Sequence, residues 1–86
     1  MAETKIDPKL AAELKSQPDA QFDLLVTVQH ADDQTEKHLT SQGIVVRRRL
    51  RLVPTVAITC SGDQAQELLG YSWVEQIERD QPVHTM

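Results

Sequence analysis

Little of this 86-residue chain is aromatic: Phe22, Tyr71 and Trp73 make up its 3%. A protein that reads single-stranded nucleic acid on a sheet needs stacking platforms beside its cations, so the scarcity weighs against RNA or DNA as a partner. A basic excess is lacking as well: the net charge is −4, which argues against generic binding to phosphate backbones. The lone cysteine, Cys60, excludes an internal disulfide, and at an inward-facing strand position it reads as a small buried hydrophobe. There is no Gly-rich phosphate loop. Ser16, Ser41, Ser61 and Ser72 stand outside any nucleophile-elbow context, and His30, His38 and His84 lack metal-ligand spacing. The expectation is therefore no enzyme, no metal and no cofactor. No apolar run approaches the roughly 18 residues needed to span a membrane. The start, Met1 to Lys5, has no apolar signal-peptide core, and a cytoplasmic protein is expected.

What is present reads as a globular domain. Apolar residues are 40% of the chain and charged residues 26%, an ordinary balance for one folded unit of this length. At this size folding hides only about 60% of the surface the unfolded chain exposes, so the core is small.

Asp7-Pro8 is a helix start, with Leu10, Ala11 and Leu14 at helical spacing and Pro18 as the stop. The segment reads as a short amphipathic helix, an N-terminal extension over residues 1–20 leaning on the main domain. Phe22 to Gln29 alternates as a strand, Leu24, Val26 and Val28 on one face and Leu25, Thr27 and Gln29 on the other. A second helix opens at Ala31-Asp32-Asp33 and ends near Gln42, with Gly43 as its left-handed stop. Ile44 to Leu52 reads as a second strand. Val46, Leu50 and Leu52 point inward with Arg48 between them, and Val45, Arg47, Arg49 and Arg51 point outward. Pro54 marks a hairpin turn into a third strand, Thr55 to Cys60. Ser61-Gly62-Asp63 starts a further helix with Ala65, Leu68 and Leu69 as its apolar stripe, and Gly70 stops it. Trp73 to Glu78 is the last strand. Val74 and Ile77 are three apart rather than two, so either a bulge intervenes or Val74 packs from the preceding turn.

The order after the first helix is β-α-β-β-α-β, the ferredoxin-like α+β arrangement. Right-handed crossovers put both helices on one face of a four-stranded antiparallel sheet and leave the other face open. The domain spans residues 21–80, and 81–86 is an extended tail. The arginine run Arg47-Arg48-Arg49 with Arg51 reads as a solvated or partner-facing surface of that sheet, with nucleic acid as the less favoured alternative. On composition alone the tail reads as a frayed terminus, as most chain ends are.

A second reading of the tail comes from a resemblance. Val53-Pro54-Thr55-Val56-Ala57-Ile58-Thr59, the helix segment Asp63-Gln64-Ala65-Gln66-Glu67-Leu68 and the run Val74-Glu75-Gln76-Ile77-Glu78-Arg79-Asp80 come in this order along the chain. Together, in a pattern that can be followed from Leu52 to Met86 without a gap, they resemble the second half of the propeptide domain of subtilisin-type proteases, the inhibitor I9 family. Leu25-Val26-Thr27-Val28 and Gln42-Gly43 resemble the first half more loosely. The resemblance implies an inhibitor, and folding helper, of a subtilisin-like serine protease. Its open sheet face would dock on two surface helices of the enzyme. Glu78 and Asp80 would cap those helices at their N-termini, where backbone N–H groups and the helix dipole favour negative charge. The tail would enter the active-site cleft as a bound product does, with Met86 and Val83 in apolar pockets and His84 and Thr85 between them. Arg47, Arg49 and Arg51 are unusual on a docking face and would suit a partner with an acidic surface. No protease domain follows Met86, so a stand-alone protein acting in trans is expected, monomeric or weakly dimeric. The alternative is a ferredoxin-like interaction or self-associating module with no protease partner.

Overall fold

The computed structural model describes residues 5–50 and 52–80. Seven elements follow in order: α1 (Pro8–Ser16), β1 (Gln21–Val28), α2 (Asp33–Ser41), β2 (Val45–Arg49), β3 (Thr55–Ser61), α3 (Gly62–Leu68) and β4 (Val74–Arg79). The strands form one antiparallel sheet in the order β2-β3-β1-β4. This is the ferredoxin-like α+β fold that alternation and capping imply, with α1 added in front.

Local chemistry sets the helix ends. The Asp32 carboxylate accepts from the Thr35 amide at 3.0 Å and caps α2. Gly43 follows that helix at φ 83°, where a side chain would be strained. α3 starts with a reciprocal cap: Ser61 Oγ accepts from the Gln64 amide and Gln64 Oε1 accepts from the Ser61 amide. Asp7, by contrast, makes no side-chain cap on α1; Pro8 at the first turn and the bond from the Ala11 amide to the Asp7 carbonyl start that helix.

The core lies between the helices and one sheet face. Phe22, Leu24, Val26 and Val28 of β1 and Val56, Ile58 and Cys60 of β3 are buried there, joined by Leu39, Ala65 and Leu68 from the helices. Leu10 and Leu14 of α1 belong to the same cluster, so α1 is a seated part of this core. Its approach to α3 is close: a Cβ at Gly62 would stand 2.6 Å from the carbonyl oxygens of Leu14 and Gln17. The segment before α1 also lies along the outer edge of β4, where Ile6 bridges Ile77 in parallel and the Ile77 amide donates to the Lys5 carbonyl at 2.7 Å.

Both edge strands are irregular. In β4 the register passes from Thr27–Gln76 to Val28–Val74, so Glu75 is the extra residue of a bulge. This settles the three-residue spacing of Val74 and Ile77, both buried. In β2 the register passes from Val46–Ile58 to Arg48–Ala57, and the extra residue is Arg47. That bulge corrects the regular alternation expected for β2. Beyond it the faces exchange: Arg48 takes the open side, opposite Ala57, and Arg49 takes the helix side, opposite Val56. Leu52, expected inward, is 98% exposed in the loop after β2.

Candidate functional site

Cross-strand pairing fixes what the open face presents, because residues opposite each other on neighbouring strands share a face. One row runs Arg48–Ala57–Leu25–Glu78 from edge to edge of the sheet. A second holds Val45, Thr59 and Asp23, and a third Thr55, Thr27 and Gln76. The middle of the face is made of small and apolar side chains, with a cation at one margin and a carboxylate at the other. Ala57 is fully buried and Thr55 nearly so, and Thr27 and Thr55 hydroxyls lie 3.3 Å apart. The Thr59 hydroxyl donates to Asp23 at 2.8 Å.

Arg47 crosses this face. Its guanidinium donates to the Ile58 carbonyl at 3.2 Å and to Asp80 Oδ2 at 2.7 Å, and its Nε lies 3.9 Å from Asp23 Oδ1. Asp80 is also held by its backbone, the amide donating to the Asp23 carbonyl at 3.0 Å. The two acids singled out in the sequence therefore differ. Glu78 is exposed and makes no ion pair among the described residues, whereas the Asp80 side chain is only 17% exposed and is bonded to Arg47.

The three arginines expected on one face are not together. Arg47 lies on the open face. Arg49 is turned to the helix side by the bulge and pairs with Glu36 at 3.0 Å and Asp33 at 3.4 Å, both on α2. Arg51 and the tail residues Val83, His84, Thr85 and Met86 lie outside the described residues. Arg48, which alternation puts on the inner side, and Asp23 and Thr59, to which the sequence assigns no role, belong to the open face as well. Asp23 and Thr59 sit at outward positions of regularly alternating strands and were available from the pattern; Arg48 was not, since only the bulge puts it there.

The remaining polar chemistry stands elsewhere. The Thr35 amide bonded to Asp32 holds that carboxyl below its usual range, and burial pushes the Cys60 thiol up to about 11, so it stays protonated. Tyr71 and Trp73 stack at 5.1 Å, with His38 of α2 edge-on to both, away from the rows of the open face; Phe22 is in the core. Among the described residues no group of His, Cys, Asp and Glu is placed to hold a metal ion, and no helix is long and apolar enough to cross a membrane. The open face thus offers a packing surface of about four strands' width with charged margins. No protein-family model matches the chain, and no curated protein matches it.

Proposed function

We propose that this protein inhibits a subtilisin-like serine protease, and assists the folding of such an enzyme. The open sheet face packs on the enzyme surface, and Val83, His84, Thr85 and Met86 enter the cleft as an extended, product-like strand. The observation that carries this reading is the corner where β4 ends. There a ferredoxin-like sheet presents an apolar centre and an exposed Glu78, and the chain leaves for the tail from Asp80 beside that same face. An exposed carboxylate at a docking margin suits the N-terminus of a partner helix. A cytoplasmic setting belongs to the proposal, in keeping with a single, buried cysteine.

An inhibition assay against a panel of subtilisin-like proteases tests it, using the whole chain and a chain lacking Val83 to Met86. Loss of inhibition with the fold intact is the expected result; equal inhibition by both chains refutes the tail's role. Met86→Asp should weaken binding, because it places an unpaired charge in an apolar pocket.

The alternative, an interaction module that self-associates, draws on the outer edge of β2, where Val45 is 57% exposed beside a strand with no neighbour on its far side among the described residues. A concentration-dependent dimer in size-exclusion chromatography, with no protease inhibited, is the outcome that favours it.

A further inference from the structure

We propose that Arg47 is a positioning residue: it clasps Asp80 across the open face, fixes the direction in which the chain leaves the sheet, and leaves Glu78 as the carboxylate offered to a partner. The role given to Glu78 and to the departing chain rests on the inhibitor reading; the clasp itself does not.

The clasp is a product of the β2 bulge. A regular strand would alternate Arg47 and Arg48 between faces. With Arg47 as the extra residue, two successive arginines serve the open side: Arg48 stands in the row ending at Glu78, and Arg47 is released to reach over β3. Its guanidinium donates to two acceptors, Ile58 O and Asp80 Oδ2, and stands within ion-pair range of a third oxygen, Asp23 Oδ1, the three lying on three different strands or their ends. A planar fork of donors is suited to such a spread of acceptors, which an ammonium group cannot serve at once. The pair joins the strand at one sheet edge to the end of the strand at the other.

At the far end Asp80 is gripped twice, by its carboxylate and by its amide. Two anchors on one residue set both its backbone direction and its side-chain rotamer. Holding Asp80 in this way lowers the ordering cost when the residues that follow it bind a partner in one extended conformation. The same bonds take Asp80 out of contention as a cap for a partner helix: its carboxylate is already bonded to Arg47, and exchanging that bond for another gains little. Glu78 has no such commitment among the described residues and is exposed.

Amide hydrogen exchange at Asp80 and protease inhibition, measured on the same full-length variants, test the proposal. Arg47→Ala should speed exchange of the Asp80 amide and weaken inhibition, each by about three- to fivefold, the range an incompletely buried ion pair supports. Asp80→Asn should do the same, and the double variant should lose no more than either alone. Arg47→Lys should recover part of both. Arg49→Ala, which removes an arginine from the helix side, should change neither, and Glu78→Gln should weaken inhibition without altering exchange at Asp80. A folded Arg47→Ala protein with wild-type exchange at Asp80 overturns the clasp, as does an Arg49→Ala protein that behaves like it. If Arg47→Ala fails to fold, Asp80→Asn gives the same reading. A wild-type chain that inhibits no protease sinks the proposed function, while the exchange comparison still decides the clasp.

Discussion

The two edge strands, β2 and β4, each carry a one-residue bulge, yet they end up in different circumstances. In β4 the bulge at Glu75 keeps Val74 and Ile77 both buried, and the segment at Lys5 and Ile6 covers the outer edge. In β2 the bulge at Arg47 disposes a row of arginines to both faces, and the outer edge has no neighbour among the described residues. Unpaired edges invite pairing with other chains, and charge and irregularity discourage it. One edge is closed by packing, the other guarded by charge. The charges are not idle on either face, since Arg49 ties β2 to α2 and Arg47 ties it to the end of β4.

If packing closes one edge and charge guards the other, substitutions should cost unequally. Ile77→Ala, in the packed edge, should destabilise the fold most, by about 3 kcal/mol in urea unfolding, because it empties a buried site between Ile6 and Val26. Gly62→Ala should cost about 2 kcal/mol, since the new Cβ meets two backbone carbonyls of the α1 end and must unseat that helix. Its effect should appear first as faster amide exchange at Ile77, whose partner is the Lys5 carbonyl. Val46→Ala, the matching change in β2, should cost only about 1 kcal/mol, because Val46 is half-buried and loses less apolar contact. A Val46 cost equal to that of Ile77 would break the contrast between the edges. Arg49→Ala should cost least, about 0.5 kcal/mol, and the loss should shrink in high salt.

Acid and alkali probe the two ends of the scale. The Asp32 carboxyl titrates below its ordinary value because the Thr35 amide bonds its charged form. Its contribution to α2 is thus present above the unfolded-state value and fades as pH falls through the lower folded one, readable as an acid-side shift of the Thr35 amide resonance. Cys60 behaves in the opposite sense. Burial raises its thiol from 9.0 to about 11, so the associated stability is intact below about 9 and declines as pH rises toward 11. A thiol reagent at pH 8 should label Cys60 only as fast as the protein unfolds; rapid labelling of the folded chain would contradict its burial.

Much of this architecture was legible in the residues. Alternation in β1 and β3 placed the core face correctly, because Thr55, Ala57, Thr59 and Ser61 in β3, and Gln21, Asp23 and Thr27 in β1 with Leu25 as the exception, give the pattern a phase. Capping chemistry at Asp32, Gly43 and Ser61 marked the helix limits. The spacing of Val74 and Ile77 left two readings open, a bulge or packing of Val74 from the preceding turn, and the register of β4 shows the bulge. Glu78 was singled out through the resemblance, as an acid at the end of the last strand, and the structure shows it exposed; Asp23 could have been added by counting along β1.

By itself, then, the sequence determined the order of elements, the ferredoxin-like class and the core residues of β1, β3 and the helices, because hydrophobic periodicity and capping are local and repeat within a few residues. Only the tertiary structure decided the faces of Arg47, Arg48 and Arg49. A run of identical charged residues carries no alternation, so nothing local says where the pleat slips; pairing with β3 sets the slip at Arg47. The same is true of the bond from Arg47 to Asp80. It joins residues 33 positions apart, and whether two opposite charges meet depends on which strands the fold lays between them.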